Sequence, residues 1–376
     1  MSDVGWRAML PADPLPWLLE SAEPAARWTA LVELLDQPPD DPVVRAAHEA
    51  VLADGGTREL LDRLPDWEQP QRISGHDAPA FAPNLLHLLA DMGVAEDDDV
   101  RIRGLLDAML EHVDAEGRFA TCGTLRGMAE PRWGALLCDT HAIADVLVRF
   151  GRGADPRVRR ALARATSDLR DTAQGRAWPC RPDDASGFRG PGRRADFCPL
   201  VTLQALRAFA RVAEVERPPQ LLEIARVSLR AWRERGSEKP YLFGHGIQFK
   251  TVKWPPTWYG AYLVVDVLGR YPALWRDAGS QPEVRQALAE LAACLIAYNV
   301  SPAGMVIPRS ARQGFGSFSF GQKQLPSAWA TARLGVALRR LDDLAGDVAA
   351  VDVAALGSSK GGSGTAVPPR SQASRG

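Results

Sequence analysis

Cysteine and lysine are scarce in this chain of 376 residues, with five of each. An odd handful of thiols in so long a chain argues against a disulfide framework, and leaves metal ligation, catalysis or plain burial as the expected roles. Long hydrophobic runs are missing too: no stretch reaches the roughly 18 uncharged apolar residues of a membrane span. The start "MSDVGWRAMLPADPLPWLLE" lacks a basic segment followed by an apolar run of leader length, which places the chain in the cytoplasm. Neither sign of charge dominates. The 45 basic residues stand against 46 acidic ones and alternate with them along the amphipathic segments, which argues against a nucleic-acid partner. With 46% hydrophobic residues, the chain can bury one large core or two ordinary ones.

What the sequence does have is repetition. "DDPVVRAAHEAVL", "DDDVRIRGLLDAML", "ADPRVRRALARATSDL", "ERPPQLLEIARVSLRAW" and "SQPEVRQALAELAACL" recur about every 60 residues. Each opens on an acid, a polar residue or a proline and continues as an amphipathic helix. Between them lie segments that are apolar nearly all round: "PLPWLLESAEPAARWTALVELL", "APAFAPNLLHLLADMG", "PRWGALLCDTHAIADVLVRFG", "CPLVTLQALRAFARVA", "PPTWYGAYLVVDVLGRY" and "PSAWATARLGVALRRL". A helix apolar on every side is surrounded by protein, whereas one with a single apolar stripe covers a surface. Six buried helices, each followed by an amphipathic one (the sixth at Asp343 to Leu356), predict an all-α fold, an (α/α)6 toroid in which an inner ring wears an outer jacket. The expected organisation is a single domain over residues 1–356 and a disordered tail at 357–376, which is rich in glycine, serine and proline.

In such a ring, the loops that precede the inner helices gather at one rim. Here they carry Arg72, His76, Arg126, Arg132, Arg189, Arg193, Arg194, His245, Lys250, Lys253 and Lys323, with few acids. Helix N-termini favour anions as well, so the rim is expected to bind something negative. The same segments hold many aromatic rings, among them Trp258, Tyr259 and Trp329, which suit an apolar cavity closed by polar loops. The ligand this predicts is a small-molecule anionic amphiphile.

The segments "LPWLLE", "WGALLCDTHA", "WPC" followed by "FRGPGRRADFC", "KPYLFGHG" and "FSFGQKQLPSAW", with the repeats, resemble the terpenoid cyclase and protein prenyltransferase toroids, in particular bacterial squalene-cyclase-like proteins. Turns such as "DAEGRF" and "QGRAWPC" look like decayed forms of the glutamine and Gly-Gly-Trp turns of those cyclases. The resemblance spans Pro14 to Leu341 and implies isoprenoid chemistry by cyclisation or transfer, on a substrate such as a prenyl diphosphate. The family's Asp-x-Asp-Asp acid is not recognisable, and "EDDDV" reads as helix-cap acids. There is no Asp-Asp-x-x-Asp segment for magnesium diphosphate either.

Two catalytic candidates share the third inner segment, Asp139 and His141. Helical spacing aligns Asp139 with Leu136, Ile143, Val146 and Phe150, which predicts burial, and a buried carboxyl tends to keep its proton. Asp139 is therefore the expected acid, with a structural pairing to a rim arginine as the competing role. Cys138, Cys180 and Cys198 fall near the same rim, where His141, His245 or Asp139 could complete a zinc site. Three readings follow: an isoprenoid cyclase or transferase, a zinc-dependent cyclase or alkyltransferase, and a non-catalytic binding or scaffold toroid.

Overall fold

The structure is a computed structural model that describes residues 5–71, 78–124, 129–181, 195–237, 244–277 and 281–357. Arg72, His76, Arg126, Arg189, Arg193, Arg194 and the tail at 358–376 lie outside the described residues.

Twelve helices alternate between two roles. The inner ones are α1 (Pro24–Thr29, continued by a π turn over Ala30–Leu34), α3 (Ala82–Asp91), α5 (Leu137–Arg149), α7 (Pro199–Phe209), α9 (Ala261–Leu268) and α11 (Ala328–Arg339). The outer ones are α2 (Pro42–Ala53), α4 (Val100–Glu111), α6 (Pro156–Ser167), α8 (Leu221–Arg233), α10 (Pro282–Asn299) and α12 (Ala345–Ala349). Consecutive inner helices from α3 to α11 pack on one another, and α11 packs on α1. The ring closes between α1 and α3, where the Trp28 ring lies against the backbone of Gly93. Among the outer helices, α2, α6, α8 and α10 pack on the inner helix before them, and α12 packs on α10. This is the (α/α)6 toroid. The sixth outer helix is broken: a 3-10 turn at Asp342–Leu344 leads into α12, and a further turn follows at Val353–Gly357. The main apolar core runs from Trp6 to Val348, and a small separate cluster of Leu31, Val44 and Ala47 lies between α2 and the first inner helix.

The two sets of helices start differently. Asp41, Asp99 and Asp155 cap α2, α4 and α6 by accepting from Val43 N, Arg101 N and Arg157 N, an arrangement typically worth about 1 kcal/mol per helix. The repeated acid in the sequence is this cap. Among the inner helices only α11 has a side-chain cap, from Ser327; α1, α3, α5, α7 and α9 start without one. Their unpaired N–H groups therefore add positive character to the rim where they start.

The turns after α4 and α6 hold loops in place. Gly117 and Gly175 take positive φ values of 94° and 129°, which favour glycine. Gln174 Oε1 accepts from Phe197 N at 3.2 Å, and the buried Trp178 donates through Nε1 to Ala165 O at 2.7 Å. Arg118 grips Asp168 with two bonds of 2.7 Å, fastening the turn after α4 to the end of α6.

Candidate functional site

Helical periodicity decides which inner-helix residues face the axis. On α3 these are Asn84, His87, Leu88 and Asp91; on α7, Leu200, Gln204 and Arg207; on α9, Tyr262, Leu263 and Asp266. With Trp329 of α11 and the loop 255–257 they line a cavity of about 50 Å³. Below it, the C-terminal halves of the inner helices are joined by charge. Asp145 of α5 meets Arg207 and, at 3.1 Å, Arg211, both from the α7 side. Asp91 of α3 lies 3.0 Å from Arg149 and 3.1 Å from Arg333, while Arg340 holds Asp266 and Arg333 also reaches Glu33. Partners at matching depth on neighbouring helices require the six to run parallel, so the opposite, N-terminal end is the open rim.

Burial acts to raise all three aspartates, but the arginines outweigh it and hold Asp145 and Asp266 well below the carboxylate range, and Asp91 below it. None of them can serve as a proton donor near neutral pH. His87 Nε2 lies 2.9 Å from Asp145 Oδ2, off the line of a good hydrogen bond. Burial, reinforced by Arg207, pushes its pKa down to about 4, so the ring is neutral.

A larger cavity of about 520 Å³ opens at the rim above α9. Pro256, Tyr262 and Leu263 belong to the walls of both cavities, so the two adjoin. The parallel pairing of Lys253–Trp254 with Ser310–Ala311 brings two distant loops together and sets Lys253, Arg309 and Arg312 around it. Among the described residues, no carboxylate lines it. Helix α9 starts here at Gly260, and the first intrahelical bond runs from Val264 N to Gly260 O, which leaves the amides of Ala261, Tyr262 and Leu263 without one. Phe249, Trp258, Tyr259 and Tyr262 supply aromatic surface.

The residues expected from sequence divide accordingly. Lys253, Trp258 and Tyr259 line this mouth, and Trp329 lines the deeper cavity. His245 stands behind the wall, with Nε2 2.9 Å from Tyr259 Oη and its ring edge-on to Phe249. Lys250 turns the other way, into the jacket, where its Nζ lies 5.2 Å from the ring of Tyr298 and 5.9 Å from that of Trp232. Lys323 is exposed on the loop before α11 and lines neither cavity. Arg309, Arg312 and Gln204 were not singled out from sequence. Glu23 was not either: it accepts from Ser319 Oγ at 2.8 Å and Trp329 N at 3.0 Å, and burial raises its carboxyl.

Asp139 is buried in the first turn of α5, as its spacing predicts, and lines neither of these two cavities. His141 Nδ1 donates to Val201 O at 3.2 Å and burial pushes its pKa down to about 4, which fixes a neutral ring bridging α5 and α7. Burial pushes the Cys198 thiol up, and Cys180 and Cys138 add to the rise. Among the described residues, however, no group of three or more His, Cys, Asp or Glu side chains is arranged to hold a metal ion. No described helix is long and apolar enough to cross a membrane.

No protein family matches the chain, and no curated protein does. Two solved structures to which it is similar are variants of the type II terpene cyclase MstE from Scytonema, each in complex with geranylgeranyl dihydroxybenzoate. The first is 15% identical over 86% of this chain and 88% of its own, with a TM-score of 0.41. The second is 15% identical over 85% and 87%, with a TM-score of 0.39.

Proposed function

We propose that the protein is a terpenoid-cyclase-like enzyme that takes an amphiphilic isoprenoid, such as a prenyl diphosphate, head-first against the rim of its toroid. The observation that carries this reading is the mouth cavity: three cations, an uncapped helix N-terminus and, among the described residues, no carboxylate in its lining, beside four aromatic side chains. Backbone amides and arginines together recognise phosphate or carboxylate oxygens. The aromatic faces suit an unsaturated tail and can stabilise a carbocation formed along it.

In this reading the acid is Asp139, which lies in the first turn of α5 at the rim end and lines neither described cavity, so its role stands on the substitution below. The axis carboxylates Asp91, Asp145 and Asp266 are ionised by their arginines, which removes them as donors. Glu23, whose carboxyl burial raises, is the alternative to be distinguished from it. The test is incubation with prenyl diphosphates of increasing chain length and product analysis by mass spectrometry, using the wild type, Asp139→Asn and Glu23→Gln. The reading predicts a cyclised product from the wild type and none from Asp139→Asn. Product from Asp139→Asn and none from Glu23→Gln would move the acid to Glu23. No product from any form of the protein would support a binding toroid instead.

A further inference from the structure

The closed end of the toroid carries more positive charge than its carboxylates neutralise. Arg149, Arg207, Arg211, Arg270, Arg333 and Arg340 share Asp91, Asp145, Asp266 and Glu33, which sets six guanidinium groups against four carboxylates among the described residues. His87, beside Asp145, is neutral and changes nothing in this balance. Cations are favoured at helix C-termini, where they meet the negative end of the macrodipole. Two of the arginines do so directly: Arg149 donates to Ala90 O at 3.1 Å and Arg340 to Asp266 O at 3.2 Å.

The pair at the end of α7 does not. Arg207 and Arg211, one turn apart, each meet Asp145 through Nε, on Oδ2 and on Oδ1, and among the described residues the Nη groups of neither donate to the protein. A single carboxylate held from both sides sets the two guanidinium groups next to each other. Their side chains are 16% and 14% exposed. Unlike Nε of Arg270 and Arg333, none of their Nη atoms is sealed from solvent without a partner, so a solute can reach them. Burial, opposed by Asp145 and reinforced by the like charges of Arg149, Arg270 and Arg207, pushes the Arg211 guanidinium down to about 9. Water can accept from the Nη groups but leaves the surplus charge in place. An oxyanion answers both, since its oxygens match forked N–H donors and its charge offsets the excess.

We propose that the closed end of the toroid is a second anion site, in which the unengaged Nη groups of Arg207 and Arg211 bind a phosphate-class dianion, with Arg149 and Arg270 adding attraction from the ends of α5 and α9. The mouth lies at the opposite end of the inner helices, so neither site depends on the other. The test is titration calorimetry with inorganic phosphate, at constant ionic strength set by sodium chloride, in Lys253→Ala/Arg309→Ala protein, whose mouth is disabled. About one phosphate per chain is expected to bind, and adding Arg211→Gln is expected to weaken it at least about tenfold. Arg211→Lys keeps a cation on Asp145, and with it the fold, and is expected to weaken phosphate about threefold or more because the fork is lost. Glycerol 1-phosphate in the same titration separates the two sources of this chemistry: binding as tight as that of phosphate identifies a phosphomonoester site, and weaker binding a site for the free ion. No binding of either below about 10 mM, or binding that both Arg211 substitutions leave unchanged, would overturn the proposal.

Discussion

Arg333 on the last inner helix contacts Asp91 on the second, Nη2 to Oδ1, at 3.1 Å, and so ties together two helices that are not neighbours in the chain. Arg333 is 2% exposed and also holds Glu33 at the end of the first inner helix. The closed end of the toroid is therefore a set of mutually dependent charges, and single losses there should be costly. Replacing Arg333 by Met should cost about 3 kcal/mol or more, because two carboxylates lose a buried cation. The midpoint of urea unfolding measures this. Adding Asp91→Asn to Arg333→Met should recover part of the loss, whereas strict additivity would show that the two residues are not coupled.

Stability should fall as pH drops below neutral. His87 and His141 have folded pKa values of about 4, below the ordinary histidine value, so the unfolded chain binds protons that the folded chain refuses. Their contribution is present in full above pH about 6.5 and is lost as pH falls toward 4, with a limiting slope of about 2.7 kcal/mol per pH unit for two groups. Below that, protonation of Asp145, Asp266 and Asp91, whose folded pKa values are depressed, removes a further share. His141→Gln should roughly halve the slope between pH 6.5 and 4. An unchanged slope would mean that His141 titrates normally.

The ring itself was legible in the sequence for a physical reason. A helix apolar all round and a helix with one apolar stripe have different surroundings, and their alternation with a repeated capping acid admits few architectures. Lys253, Trp258 and Tyr259 were legible because basic and aromatic side chains concentrate in loops ahead of inner helices. Arg309 and Arg312 were not, since they reach the mouth only through the pairing of Lys253–Trp254 with Ser310–Ala311, and no local pattern reports a contact between segments so far apart. Gln204 had a faint signal: Gln204, Arg207 and Arg211 form a polar line along a segment read as apolar nearly all round. Lys250 shows the opposite failure, a loop cation that the fold turns onto Tyr298 and Trp232 rather than into the rim.

Cys198 should resist alkylation in the native protein. It is buried and its thiol is pushed up, so little thiolate forms at pH 8. Iodoacetamide labelling followed by peptide mass spectrometry should show Cys198 modified only after unfolding. Rapid native labelling would contradict the enclosed arrangement of the thiols.

An anionic head group at the rim above Gly260 should be visible in the binding of farnesyl diphosphate against farnesol. The diphosphate should bind at least about tenfold more tightly, Lys253→Ala, Arg309→Ala and Arg312→Ala should each weaken it about tenfold, and none of the three should change farnesol binding. Equal affinity for the two ligands, or diphosphate binding unaffected by all three substitutions, would contradict that placement of the head group.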